Sequence, residues 1–276
     1  MKKIIVPIDF SKYSEYALEA AAILAKKHKA EIFALHMLEM SDSVFSSSSE
    51  DQKTKAFFFL RIAEQKFETF LEKDYLQGLK ITPMVKQFKV FSEVSEVAKE
   101  HGVDLIVMGS QGTSGFNEIF VGSNTEKVVR HSDIPVLVIK HAPTNLNFET
   151  IVFASNFSEN AVDVYQRALD TLGENANIHL LYVNVPGENF RSTAEMEQSV
   201  ANFLMKAEGN IGRLNKVNYV SDYTVEKGIV NFSNMVGADL IVMPTHGRKG
   251  LAHFFEGSIS EDLANHATLP VMTFKI

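Results

Sequence analysis

The chain of 276 residues contains no cysteine, which excludes disulfide frameworks, thiolate metal sites, iron–sulfur clusters and cysteine nucleophiles together. Nowhere do about 18 apolar residues follow one another, so no transmembrane helix is expected. The start, Met1-Lys2-Lys3-Ile4-Ile5-Val6-Pro7-Ile8-Asp9, lacks the long apolar stretch and small-residue cleavage site of a signal peptide, and Asp9 falls inside its short apolar run. These absences predict a cytoplasmic protein with no membrane partner. Basic residues are also in deficit: 27 Lys and Arg against 34 Asp and Glu give a formal charge of −7. A broad grip on nucleic acid is therefore not expected. What the chain has is apolar mass, 45% hydrophobic against 22% charged residues, over a length that favours two globular domains.

The sequence is written twice. Ile4-Ile5-Val6-Pro7-Ile8-Asp9-Phe10-Ser11 recurs as Ile151-Val152-Phe153-Ala154-Ser155-Asn156-Phe157-Ser158, and Asp104-Leu105-Ile106-Val107-Met108 recurs unchanged as Asp239-Leu240-Ile241-Val242-Met243. From Asp104 to Lys140 the copies align without a gap, with 15 identities in 37 positions. Self-similarity at this scale predicts two homologous domains, 1–141 and 147–276, joined near His141-Ala142-Pro143-Thr144-Asn145. The offset falls from 147 to 135, so copy two lacks 12 residues. The shortfall is expected after the second strand, where copy one holds the serine-rich stretch Met40–Asp51. That stretch reads as a solvated loop insertion, more readily than as a phosphorylation target.

Each copy alternates short apolar runs with longer amphipathic stretches. In copy one, strands are predicted at Ile4–Ile8, Glu31–Leu38, Ile81–Val90, Leu105–Met108 and Val136–Ile139. Helices are predicted at Ser14–Lys29, Lys53–Tyr75, Ser92–His101 and Gly122–Ser132, with Ser11 and Ser92 as N-caps. Copy two gives strands Ile151–Ala154, His179–Val185, Val217–Thr224, Leu240–Met243 and Val271–Phe274. Strands alternating with helices imply βαβ units and a parallel sheet covered on both faces, of which a doubly wound, Rossmann-like five-stranded sheet is the simplest arrangement.

The fourth strand of copy one leads into Gly109-Ser110-Gln111-Gly112, and nine residues later Gly122-Ser123 opens a helix. Glycines after a parallel strand let the backbone turn sharply and approach a ligand. The helix N-terminus and the Ser123 hydroxyl add donors suited to phosphate. In a doubly wound sheet this loop sits beside the first strand at the switch-point crevice, where Asp9 can accept hydrogen bonds from ribose hydroxyls. No Lys or Arg lies in Ser110–Phe116, so phosphate charge would rest on backbone dipoles and Mg²⁺.

The spacing Gly-x2-Gly-x9-Gly-Ser at Gly109, Gly112, Gly122 and Ser123 resembles the nucleotide motif of the universal stress protein family. Val6-Pro7-Ile8-Asp9-Phe10-Ser11, Thr125-Glu126-Lys127-Val128-Val129-Arg130 and Pro135-Val136-Leu137-Val138 are similar to that family as well, and the resemblance covers both halves. It implies tandem adenine nucleotide alpha hydrolase-like domains of strand order 3-2-1-4-5, a role in stress response, and ATP as ligand. By position, Asp9 would hold the ribose and Pro7 with Ile8 would shape the floor. Met37 and Met108 would pack on adenine. Gly109, Gly112, Gly122, Ser123 and Asn124 would line the phosphates; family members often carry Val or Thr at the place of Asn124. The resemblance also implies that the family's dimer is built within one chain, through edge strands Val136–Ile139 and Val271–Phe274, with a further homodimer open and the protein partner unknown.

Copy two departs from the motif. Asn156 replaces Asp9, and Pro244 replaces the first glycine, removing an N–H and fixing φ. Gly247, Gly257 and Ser258 remain, with Arg248 and Lys249 nearby. This half is expected to serve mainly as a structural partner. Other chemistries fare worse. No Gly-Lys-Ser/Thr follows a strand, so there is no P-loop, and Asp9-Phe10-Ser11-Lys12-Tyr13 lacks the glycine of a flavodoxin-like phosphate loop. The best metal-like grouping is His246, His253 and His266 with Glu256 and Asp262, at spacings more usual for surface residues. No catalytic or metal residue is assigned, and the chain is expected not to be an enzyme, with slow ATP hydrolysis left open. The aromatic run Phe57-Phe58-Phe59, with Phe67 and Phe70, is expected mostly to pack under the sheet, one ring reaching a subunit contact. The alternative function is an interaction scaffold that binds no nucleotide.

Overall fold

A computed structural model describes residues 1–39, 50–88, 93–110, 123–143, 146–173, 176–245 and 269–276. The chain divides into two compact units that part between Thr144 and Asn145. In the first unit the order is β1 (Lys3–Ile8), α1 (Lys12–His28), β2 (Glu31–Glu39), α2 (Glu50–Leu71), β3 (Ile81–Phe88), α3 (Val94–Glu100), β4 (Leu105–Gly109), α4 (Ser123–His131) and β5 (Val136–Ile139). The second has β6 (Thr150–Ala154), α5 (Ala161–Leu172), β7 (Asn177–Asn184), α6 (Thr193–Glu208), β8 (Asn218–Ser221), α7 (Val225–Met235), β9 (Leu240–Thr245) and β10 (Val271–Lys275).

All strand pairs within the units are parallel. The first unit has the order β3-β2-β1-β4-β5, the second β8-β7-β6-β9-β10. Each is a five-stranded doubly wound sheet of order 3-2-1-4-5, and the right-handed crossover rule distributes its helices to both faces. The central strands β1 and β4 are buried almost throughout, as continuous apolar runs in a doubly covered sheet must be. Helix α1 turns Ala17, Leu18, Ala20, Ala21, Leu24 and Ala25 inward, and its small residues let it lie close along β1 and β4. The repeated Asp-Leu-Ile-Val-Met has a visible use: Asp104 Oδ2 accepts the N–H of Lys3 at 3.0 Å, and Asp239 Oδ2 accepts that of Thr150 at 2.9 Å. Each aspartate fixes the start of the neighbouring central strand.

Several expectations need correction. The strand predicted at Val217–Thr224 is only Asn218–Ser221, because Thr224 caps α7, its Oγ1 accepting Lys227 N–H at 3.2 Å. Such local side-chain bonds compete with a strand ladder. The N-cap of α3 is Glu93, without a side-chain bond, while Ser92 falls outside the described residues. The serine-rich stretch also lies outside them, up to residue 49, and Glu50 and Asp51 already belong to α2. Much of the length difference there is helix, since α2 has 22 residues and α6 has 16.

Phe57, Phe58 and Phe59 do not pack inward; they are 60%, 61% and 45% exposed. Consecutive helical residues point about 100° apart, and the buried row of α2 runs through Ala63 and Phe67. Phe59, four residues before Ala63 on that row, is the least exposed of the three.

Candidate functional site

The switch point of the first unit lies between β1 and β4, since the chain moves from β1 to β2 and β3 on one side, then crosses to β4 on the other. At the carboxyl ends the register pairs Pro7 with Leu35 and Ile8 with His36, and Ile5 with Ile106. Alternation along the strands then places Pro7, Met37 and Met108 on one face, and Ile8 and Gly109 on the other. Ile8, Met37 and Met108 are all buried. The apolar floor expected from the sequence is thus divided between two faces, and only a ligand lying across the strand ends can meet both parts.

Asp9 follows β1 directly and is half-buried, its Oδ1 accepting Ser11 N–H at 3.0 Å. Asn156 makes the same turn in the second unit, its Oδ1 accepting Ser158 N–H at 3.1 Å. The next residue, Phe10, has φ 63, and its counterpart Phe157 has φ 53. A left-handed backbone is strained for a bulky side chain and persists only where the surroundings enforce it. Here the ring is held firmly: Phe10 lies 4.5 Å from His36, 5.3 Å from Phe67 and 5.5 Å from Phe70, centroid to centroid.

His36 went unremarked in the sequence, although it stands next to Met37. Its Nδ1 lies 2.7 Å from the Ile8 carbonyl, which can only accept, so Nδ1 carries the hydrogen. Burial pushes the imidazole below its ordinary 6.5, against the bond to Ile8, while Lys66 lowers it and Asp9 raises it. The unfolded chain therefore binds this proton more readily than the folded one. Stability rises with pH between the folded value and 6.5 and is complete above that window; His28, also lowered by burial, acts in the same direction. Urea midpoints are expected to fall as pH drops below 6.5, and less steeply for His36→Gln. An unchanged slope in that variant would show that His36 does not titrate across folding.

Gly109 ends β4. A Cβ built there would lie 2.6 Å from the Tyr13 carbonyl oxygen and 2.7 Å from its carbon. The close approach that demands glycine is thus that of the first turn of α1, a reason the sequence did not reveal. Across the loop, the buried Thr125 on α4 donates its hydroxyl to the Gly109 carbonyl at 2.8 Å. This ties the helix N-terminus to the end of β4. Ser123 opens α4 and Asn124 is half-buried, while Gly112 and Gly122 lie outside the described residues.

In the second unit Pro244 sits within β9. The remaining motif positions Gly247, Gly257 and Ser258 fall outside the described residues, as do Arg248, Lys249 and the grouping of His246, His253, His266, Glu256 and Asp262. Among the described residues no helix is long and apolar enough to cross a membrane.

Two tandem parallel sheets of order 3-2-1-4-5, with a glycine-ended fourth strand tied to the following helix, define a doubled Rossmann-like α/β protein. The universal stress protein family model matches it twice, at residues 1–140 and 147–275. The chain belongs to the universal stress protein family. Universal stress protein MJ0577 of Methanocaldococcus jannaschii is 29% identical over 153 residues, covering 50% of this chain and 94% of that protein. Universal stress protein Slr1230 of Synechocystis is 24% identical over 308 residues, covering all of both chains. A universal stress protein structure from Archaeoglobus fulgidus superposes with a TM-score of 0.59 at 22% identity, covering 99% of this chain and 96% of that one, a likeness of fold.

Proposed function

We propose that the first unit binds an adenine nucleotide, ATP with Mg²⁺, as a regulatory ligand in stress response, and that the second unit acts mainly as its structural partner. The observation that carries this reading is the meeting, at one switch point, of a strand-end carboxylate with both flanks of the phosphate motif. Asp9 is held by its own turn, and Gly109 is tied to the N-terminal turn of α4 through Thr125. The residues suit the ligand. Met37, Met108 and Pro7 give an apolar surface for a base, the Asp9 carboxylate suits a ribose diol, and the start of α4 suits phosphate. In the second unit the carboxylate is an amide at Asn156, and Pro244 has no N–H to offer. No side chain is assigned a catalytic role.

The test is the nucleotide content of the purified chain, followed by calorimetric titration with Mg-ATP. One ATP per chain is expected. Two would overturn the division of labour, and none would favour the scaffold, for which the exposed Phe57-Phe58-Phe59 run speaks. Asp9→Asn isolates the charge, because Asn156 shows that an amide oxygen can make the same turn. ATP affinity should fall tenfold or more, roughly the worth of a hydrogen bond to a charged group, with an unchanged melting temperature. Unaltered affinity would remove Asp9 from the site.

A further inference from the structure

At the amino ends of its strands, opposite the edge that carries the switch-point crevice, the second unit holds a cavity of about 510 Å³. The cavity exists because β8 joins the sheet late. Its first residue, Asn218, pairs with Leu181, so the first four residues of β7, Asn177–Leu180, have no strand on their outer side. In the first unit β3 starts opposite Ile32, the second residue of β2, and the same edge is covered. On β7, side chains take the place of a ladder. Arg213 Nη2 donates to the Ile178 carbonyl at 2.8 Å, and the Asn218 amide donates to the Leu180 carbonyl at 3.1 Å. With these backbone acceptors satisfied, the turn Leu214–Lys216 stands off from β7 and the space between them stays open.

The wall of this cavity is cationic. Arg213 and Lys216 line it together with Asn177, His179 and Asn218, and among the described residues no carboxylate does. Arg213 is fixed in advance: its Nη1 donates to the Tyr165 hydroxyl at 2.5 Å and to Glu208 Oε1 at 3.2 Å. A guanidinium has five N–H donors, so two remain after these bonds and the one to Ile178. Lys216 is exposed and makes no ion pair among the described residues. A planar donor fork held in place beside a second cation suits the oxygens of a phosphate. The fold itself does not call for this charge. At the matching place in the first unit, a cavity of about 570 Å³ beside the turn Asp74–Leu76 is lined by Glu72 and Asp74, and its Lys73 is spent on Glu15 at 2.6 Å. One position of a repeated architecture thus carries opposite charge in its two copies. We propose that the cavity at the amino ends of β7 and β8 binds a phosphate group, held by the two remaining Arg213 N–H groups and the Lys216 ammonium.

Titration of the full chain with inorganic phosphate, followed by nitrogen-15 NMR, reads the site directly. The Arg213 Nε–H and the side-chain amides of Asn177 and Asn218 should shift saturably, with a midpoint on the order of 1 mM for two charge-assisted contacts. Lys216→Glu should raise that midpoint tenfold or more, the usual worth of one hydrogen bond to a charged group, while Lys216→Arg should leave it nearly unchanged. Lys26→Glu makes the same charge change at an exposed position of the first unit and should have no effect. Glycerol 3-phosphate identifies the source of the phosphate. Tighter binding of the ester assigns a small organic phosphate, with Leu169 and Ile178 as its apolar wall; tighter binding of the free ion assigns inorganic phosphate. Signals that stay still up to tens of millimolar phosphate would overturn the proposal. So would parent-like binding by Lys216→Glu, or an equal loss from Lys26→Glu. Phosphate taken up by the first unit would move the backbone signals of Asp9 and Ser123 instead, so the two sites stand or fail separately.

Discussion

Gly109→Ala is expected to destabilise the first unit by about 3 kcal/mol, the upper end of the usual cost of overpacking. The new methyl would meet backbone atoms of Tyr13 at 2.6 and 2.7 Å, and backbone at the start of a buried helix cannot rotate away as a side-chain tip can. The second unit shows what yielding looks like. Pro244 stands where Gly109 does, and there α5 begins at Ala161, two residues later than the position matching Lys12. Its first turn is loosened: Asn160 makes no capping bond, and Ser158 Oγ is buried without a partner. In the first unit the matching Ser11 hydroxyl accepts Ser14 N–H at 3.2 Å and caps α1. Urea denaturation would measure the effect. A loss below about 0.5 kcal/mol, the scale of neutral surface changes, would mean that α1 adjusts freely and that the contact does not explain the glycine.

Phe153→Ala should cost about 4 kcal/mol, within the range for removing a fully buried ring. Phe153 packs against Phe157, Tyr165 and Phe203 at centroid separations of 6.4, 5.2 and 6.4 Å, and all four rings are almost wholly buried. A loss of that size is a large part of a domain's total stability, so the second unit should unfold first in a thermal melt. If the variant melted as one transition with the parent's midpoint, the cluster would not be the core of this unit. The first unit repeats the contact at the same place: Phe67 meets Phe10 edge-on at 5.3 Å as Phe203 meets Phe157 at 5.1 Å, and Lys66 adds its ammonium 5.4 Å over the ring of Phe10.

The halves also differ in how legible they were. The strand alternation of copy one follows from apolar runs and helical spacing, and β1, β2, β4 and β5 fall within about a residue of their expected bounds. β8 was overread because Asp222 and Thr224 divert the backbone through their own side chains, an effect apolar patterning does not register. The Phe57-Phe58-Phe59 run was overread for a related reason: hydrophobicity alone does not say which of three successive helical residues faces the sheet. His36 and Thr125 were missed as parts of the candidate site because their roles rest on bonds to Ile8 and Gly109, 28 and 16 residues away.

By itself the sequence determined the doubling of the chain, the parallel α/β class and the motif by which the first copy differs from the second. These are local properties, set by residue type, period and spacing, and they survive without coordinates. Only the tertiary structure decided that Gly109 is demanded by the backbone of α1 and that Asp9 and Asn156 share one turn. It alone showed Asn184 bracing two loops, its carbonyl taking the Asp222 N–H. The contacts of Gly109 and Asn184 depend on which distant backbone lies within about 3 Å, the length of a hydrogen bond, and packing sets that distance where composition and periodicity do not.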